Sequence, residues 1–492
     1  SPQLEQLKLQ RTRKRGCMEG SEEKTTNDPA SDSDILTEAL AAIGACIACS
    51  AILHGTSASL NTALDQQTPS SSSQCGLCLG LLENGATFVT QLREAVLEAG
   101  YQGTSHQLSI TVPALCAVRQ QLLRAHLQAR GFQGAVLLDV KDRLRHCLGD
   151  ELCKVMTPNT STPGAVLINA SAEYTGPATE QLDKIHSPVA SKGGGKKRKR
   201  GEERGDVATI TSAVVQHALG QASHDRCLEL FGGETLLDHL KRVQGKAAIS
   251  FKLGRDSIYW RGRYLKYSRK LSQSAWIIDG ERKGEGSVEE IITGAIQTSH
   301  KASGTAFHAE GREDMDVRML GRGRTFVVEV KDPKHAALHA DVVEKSVNEA
   351  AKGDLEIRDL ASANAAAMSA LQRDAEEHRK TYICVCWAQR PLAQKDMSGL
   401  DAKKDMEVDQ KTPVRVLHRR SLATRPRTVH WMQAELLNEH YFTLKLSTQA
   451  GMYVKEFVHG DMGRTRPSLR ELLQCPVEIL QLDVSDLEDH HA

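Results

Sequence analysis

The sequence predicts an α+β protein, in which a C-terminal mixed sheet flanked by helices follows an N-terminal α/β region built around zinc. Three observations carry this reading. From Ala247 onward, segments rich in β-branched and aromatic residues recur with helical stretches among them. Residues 88–130 read as helix, strand, helix. Two CxxC pairs stand 25 residues apart. A chain of 492 residues has room for two to four domains, each with its own core.

Taken in order, residues 1–35 mix charges with Ser, Thr and Asn and lack apolar periodicity, the pattern of a disordered tail. The mostly apolar run Ala39 to Leu53 is 15 residues long, below the ~18 needed to span a bilayer, so no membrane association is expected. Phe88, Leu92, Val96 and Leu97 keep helical spacing up to Gly100, which suits a C′ position. Leu108, Ile110 and Val112 alternate as a strand before Pro113, and Ala114 to Arg130 returns to helical spacing. The first region therefore covers residues 36–246 and is interrupted at 157–206 by a low-complexity, basic insertion. In the second region, 247–492, strands are expected at Arg324 to Val330, Thr381 to Trp387, Val414 to His418 and Tyr441 to Ser447. Ala-rich Leu360 to His378 reads as a helix, and Lys395 to Gln410 as a charged loop.

Composition narrows the function classes. Apolar residues at 40% and charged residues at 25% exclude wholesale disorder and fibrous architectures. The net charge is only +1, so attraction to nucleic acid has to come from local clusters. Twelve cysteines are too sparse for a disulfide scaffold and, with four of them in CxxC pairs, suit metal in a reducing compartment, nucleus or cytoplasm. Lys196 to Arg200, five cations in a row, match an importin-read nuclear signal.

Three constellations could carry chemistry. Cys46, Cys49, Cys75 and Cys78 offer Zn²⁺ four thiolates, and a closed site of that kind is structural because it leaves no position for water. Tyr259 to Trp276 holds five of the 20 aromatics beside Arg261, Arg263, Lys266, Arg269 and Lys270 without one acid, a combination suited to phosphates and unpaired bases. Lys411 to Arg427 repeats the pattern with six cations. Against these bases stands the acidic loop Gly311 to Arg318. Asp314 or Asp316 with Glu329 and Lys331 resembles the D…ExK array of a metal-dependent nuclease, and a non-catalytic RNA-binding protein is the third reading.

The ordered blocks Gly311-Arg312-Glu313-Asp314, Lys380-Thr381-Tyr382, Thr412 to Arg420, Gly451 to Phe457 and Gly460 to Ser468 resemble the Pus-ten type of tRNA pseudouridine synthase. The similarity continues through Gly262 to Arg269 and Glu285 to Glu290, over about 240 residues. The resemblance implies a pseudouridine-synthase fold for the C-terminal domain, with a zinc-bearing, THUMP-like RNA-binding region before it. It further implies a monomeric isomerase acting on the T-arm of tRNA, at uridine fifty-four and in some members fifty-five, without a catalytic cofactor. Asp314 would be the catalytic aspartate, with Arg312 in the same motif contacting substrate. Tyr382 would stack on the target base, and Tyr453 and Lys455 would line the pocket. Many pseudouridine synthases carry Arg where Lys455 stands, and Lys supplies a point charge without the bidentate fork.

Overall fold

The computed structural model describes residues 31–55, 73–102, 105–136, 138–156, 165–185, 210–417 and 420–488. The chain folds as two compact units, and neither is continuous in sequence. One comprises the described residues of Ser1–Glu83, Pro113–Leu138 and Tyr174–Lys246; the other comprises those of Asn84–Val112, Asp139–Glu173 and Ala247–Ala492. Most of the expected tail and the Lys196–Arg200 run lie outside the described residues. Ser31 caps a helix that already begins at Asp32 and buries Ile35, so the last residues assigned to the tail are ordered.

The first unit is helical. Helix Ala114–Ala129 lies at its centre and is buried over most of its circumference, with Leu115, Val118 and Leu122 along one face and Leu123 and Leu127 beside it, as expected of a helix surrounded by others. Its Gln121 donates to Gln216 on helix Ser212–Leu219 at 2.8 Å. Its Arg119, almost fully buried, donates to the carbonyl of Gly76 at 2.8 Å and so reaches the second CxxC pair.

The second unit holds a small three-stranded sheet and a large ten-stranded one. In the small sheet His106–Thr111 pairs in parallel with Val166–Thr175. The latter strand lies inside the stretch expected to be a flexible insertion, 157–206. Val166, Ile168, Ala170, Ala172 and Tyr174 alternate and are buried, a period of two that pays for ordering the backbone. Helix Gly85–Ala99 ends on left-handed Gly100 (φ 68°) as expected, and Leu97, off the four-residue spacing, is exposed.

Across the large sheet the order is Leu355–Ala363, Ile258–Lys266, Arg318–Lys331, Val477–Glu488, Arg379–Ala388, Tyr441–Thr448, Thr424–Leu436, Lys404–Lys411 and Thr465–Arg466, with Gly304–Ala309 also paired to Arg318–Lys331. One pairing, Arg318–Lys331 with Val477–Glu488, is parallel, which makes the sheet mixed. Phe326, Val327, Val328 and Val330 are all fully buried, as a continuous apolar run covered on both faces requires. Helix Val288–His300 is capped by Ser287 and packs Val288, Ile292, Ile296 and His300 inward, where His300 accepts from the Trp260 indole at 2.9 Å.

Three sequence expectations fail here. Leu360 to Ala363 completes a strand paired with Ile258–Lys266, and the helix starts only at Ala366. Lys395 to Gln410 is a helix, Gln394–Asp401, followed by the strand Lys404–Lys411. Val414 to Val416 forms a 3₁₀ turn between two strands.

Candidate functional site

The Gly311–Val317 loop enters the long strand Arg318–Lys331 and is held from beneath. Gly311 has φ +87°, and a Cβ there would stand 2.9 Å from the Arg324 guanidinium, so both backbone and space demand glycine. Glu313 turns into the core, where Arg324 donates to it at 2.8 Å and the Tyr264 hydroxyl at 2.9 Å; Glu313 and Arg324 side chains are both almost fully buried. Although burial works against its charge, Glu313 keeps Arg324 above the usual guanidinium range. Gln273 donates to the Tyr264 hydroxyl at 3.0 Å and to the Gly311 carbonyl at 2.7 Å.

Glu313 facing in leaves Asp314 facing out, into a cleft of about 450 Å³. Lys455 Nζ stands 3.2 Å from the Asp314 carboxylate and the Arg415 guanidinium 3.1 Å from it. Burial pushes the Asp314 carboxyl up, but Arg415 and Lys455 outweigh this and hold it below its ordinary value. Lys455 is shared with Asp316 at 2.9 Å, whereas Arg415 Nε bonds the buried carboxylate of Glu456 at 2.6 Å. The carboxylate is thus ionised, flanked by cations and open to a ligand.

Two aromatic residues line the cleft. Tyr382 comes from strand Arg379–Ala388, and burial raises its hydroxyl to about 12, against the opposing pull of Arg324. Tyr453 is fixed through its backbone, whose N–H and C=O bond the Gln410 side chain at 2.8 and 2.9 Å. The Arg415 guanidinium lies 5.9 Å from the Tyr453 ring centroid. The Tyr453 hydroxyl is buried and has no hydrogen-bond partner among the described residues, an orphan that a bound ligand can satisfy. Arg312, exposed, also lines the cleft.

Asp314, Tyr382, Tyr453, Lys455 and Arg312, read from the sequence as one site, therefore surround one cavity. Of the five cations read as an RNA surface, Arg261, Arg263, Lys266 and Arg269 do not act together. Lys266 is fully buried, and its ammonium donates to the carbonyls of Leu271, Asp314 and Met315 at 2.8, 3.1 and 2.8 Å. Arg269 donates to the Asp316 carbonyl at 2.6 Å and pairs with Asp483 at 2.8 Å. Both are props of the Asp314 loop, and the full burial of Lys266 corrects its assignment as a phosphate contact. Arg261 and Arg263 alternate to the sheet face opposite Tyr264 and Lys266, away from the residues that touch the loop. Sequence reasoning missed Arg415, Glu456 and the Glu313–Arg324 pair. The basic run Lys411 to Arg427 contained the first, but nothing in it singled out Arg415.

The nuclease array is not assembled. Glu329 lies five residues beyond cleft-lining Arg324 on one strand, about 16 Å away at ~3.3 Å per residue, and accepts from the Ser257 hydroxyl at 2.8 Å.

In the other unit, Cys46, Cys49, Cys75 and Cys78 are buried with their Sγ atoms all within 4.8 Å of one another. The Cys46–Cys78 and Cys49–Cys75 sulfurs are each 3.9 Å apart. A tetrahedral ion with metal–sulfur bonds of ~2.3 Å needs edges of about 3.8 Å, so the four residues fit a metal ion. Cys46 immediately precedes helix Ile47–Leu53 and Cys49 sits in its first turn. Gly76 is required because a Cβ would meet the Leu240 carbonyl at 2.0 Å. Hydrogen bonds from Cys46, Cys49 and Cys78 hold Cys75 well below the usual thiol range, while Cys49 and Cys78 are pushed above it. The Cys75 N–H donates to Glu83 at 2.8 Å, and Glu83 pairs with Arg242 at 2.7 Å, an outer shell that fixes the knuckle.

The model of the family described as Pus10, C-terminal, matches residues 259–488. A mouse protein named tRNA pseudouridine synthase Pus10 is 34% identical over 86% of this chain and 80% of its own length. A human protein of the same name is 32% identical over 84% of this chain and 78% of its own. Among solved structures, one titled as a Cbf5-Nop10-Gar1 complex is similar at 13% identity and a TM-score of 0.26, covering 46% of this chain and 48% of that one.

Proposed function

The chain belongs to the Pus10 family of tRNA pseudouridine synthases, isomerases by reaction, and from that premise we propose that it converts a T-loop uridine of tRNA to pseudouridine at Asp314. The target is uridine fifty-four, alone or together with fifty-five. The observation that carries this reading is an ionised carboxylate, Asp314, between Arg415 and Lys455 in a cleft with two tyrosines. The reaction breaks the N1–C1′ bond, turns the uracil and joins C5 to C1′, with the C5 proton lost and N1 protonated. No electron or group donor enters, so the residues themselves suffice. Asp314 either attacks C1′ or removes the C2′ proton, and both acts need the charged carboxylate. The target nucleotide has to be flipped from its stack to reach it. Tyr382 then stacks on the uracil, Arg312 holds backbone phosphate, and the Tyr453 hydroxyl, buried without a partner, meets the base or assists removal of the C5 proton.

The four cysteines hold zinc in a structural role, because softer thiolates select it and the closed set leaves no position for water. The surrounding region works as a THUMP-like grip on the T-arm, and the enzyme acts as a monomer. Import into the nucleus through Lys196–Arg200, with action in nucleus and cytoplasm, completes the reading.

Incubation with an unmodified tRNA transcript, with and without chelator, tests it. Carbodiimide-dependent reverse-transcription stops should appear in the T-loop and withstand chelator in short assays. Strand cleavage that needs Mg²⁺ and vanishes in Glu329→Ala would replace this reading with the nuclease.

A further inference from the structure

Asp314 has two counter-ions, and they are held differently. Lys455 is divided between Asp314 at 3.2 Å and exposed Asp316 at 2.9 Å, so its position follows two carboxylates that are both open to solvent and substrate. Arg415 is anchored behind: its Nε bonds Glu456, whose side chain is 2% exposed, at 2.6 Å. The segment that delivers Arg415 is closed at its neck. There the Thr412 N–H donates to the Ala423 carbonyl at 2.9 Å and the Thr412 hydroxyl to the Ser421 carbonyl at 2.8 Å. Arg464 donates to the Thr412 carbonyl at 2.7 Å and Arg425 to its hydroxyl at 3.1 Å. A planar guanidinium bonded on one edge to a buried carboxylate has its orientation set before substrate arrives, which an ammonium on a flexible stem does not.

We propose that Arg415, braced by Glu456, is the positioning residue that keeps Asp314 charged and aimed when RNA fills the cleft and competes for Lys455. This deepens the pseudouridine-synthase reading and rests on it. A tRNA phosphate or ribose entering the cleft can draw Lys455 or displace Asp316, whereas Arg415 stays in line through its bond to Glu456. Other charged and titratable groups face Asp314 from each surrounding element. Its own loop contributes Arg312, Asp316 and Glu313, the last already occupied by Arg324 and Tyr264. The sheet contributes Lys266, bonded to the Asp314 carbonyl, with Lys380 and Tyr382. Tyr453 and Arg420 complete the lining. Of the cations among them, Arg415 and Lys455 bond the Asp314 carboxylate itself.

Single-turnover conversion of saturating unmodified tRNA, followed from pH 5 to pH 8, tests the assignment. Wild type should keep its rate to the acid end, because Asp314 titrates below its ordinary value. In Arg415→Gln, burial is less opposed, Asp314 titrates higher, and the rate at pH 5 relative to pH 7.5 should fall by up to about twofold, because a carboxyl raised by about one pKa unit from below its ordinary value is still more than half ionised there. The dissociation constant for tRNA should change by less than about threefold, since this cation is occupied by protein carboxylates. Because Arg415→Gln strands the buried Glu456, the double variant Arg415→Gln with Glu456→Gln is measured beside it and should show the same acid loss. Recovery of the wild-type profile in the double variant would assign the defect to the stranded carboxylate and overturn the proposal. An unshifted profile with weaker tRNA binding would overturn it too, making Arg415 a phosphate contact. No pseudouridine from wild type would fail the functional reading itself.

Discussion

The two sites of this molecule are built on opposite principles. The cysteine cluster draws four identical ligands from two short segments, 46–49 and 75–78, and seals them from water. The cleft draws unlike groups from seven places in the sequence, Gly311 to Val317, Arg324, Ala375, Lys380 with Tyr382, Arg415 and Val416 with Arg420, Gly451 to Lys455, and Leu482 with Val484, and leaves its central carboxylate open. In the first, every ligand serves the fold. In the second, the fold is served by the buried Glu313–Arg324 pair at the cleft's floor and by Tyr264 and Lys266 behind it, so that the Asp314 carboxylate is free of structural duty. Substitutions should therefore separate stability from chemistry according to the region they touch.

The largest effect is expected where a ligand and a structural element are the same group. Cys75→Ser leaves three thiolates and should prevent binding of the zinc proposed for this site. Structural zinc contributes ~10 kcal/mol or more to folding, comparable with a whole domain's stability of ~5–15 kcal/mol. The unit containing the cluster should lose its cooperative melting transition, and metal analysis should fall from one zinc per chain to none. Wild type purified under reducing conditions without zinc would remove this side of the comparison altogether.

Asp314→Asn should show the reverse. Its exposed ion pairs each add only ~0–1 kcal/mol to stability, so the melting transition should stay within about 2 °C of wild type. Pseudouridine formation should drop by about 10⁴-fold, the scale on which removing a reacting group acts. Asp316→Asn in the same loop should cost far less. Full activity in Asp314→Asn with loss in Asp316→Asn would move the reacting role two residues along.

This contrast also decides what could be read from the sequence. The cluster was legible because ligand spacing is local: two CxxC pairs need no knowledge of the fold. Asp314, Tyr382 and Tyr453 were legible because ordered blocks resembled a family, not because their neighbours in space are near in sequence. Arg415 and Glu456 meet only after strand pairing brings residues 41 apart together, and a basic run conceals which cation faces inward. Secondary structure failed in the same way. Leu360 to Ala363 has helix-favouring alanines, but pairing with Ile258–Lys266 overrides that weak propensity. Met406, Val408 and Gln410 alternate with charges along Lys404–Lys411, a strand signal that the charge density hid. The strand Val166–Thr175 was masked by polar, low-complexity sequence on either side of it.

The smallest effects should locate the edge of the cleft, in the stretch where sequence saw a single RNA surface and the fold splits it in two. Arg261 and Arg263 lie on the sheet face away from Asp314, so neutralising both to Gln should leave the turnover of bound tRNA unchanged within about twofold. If they meet phosphate at all, the log–log salt slope of binding should flatten by about one unit per contact. Lys266→Met should behave differently, because it strands the carbonyls of Leu271 and Met315 and removes one of the two donors to that of Asp314, which also accepts from the Val317 N–H. Unsatisfied buried acceptors cost ~1–3 kcal/mol each, and the backbone affected carries Asp314. Turnover should fall while the salt slope stays that of wild type. A flattened slope in Lys266→Met with normal turnover would return Lys266 to the RNA surface and erase the layer that separates the cleft's chemistry from its support.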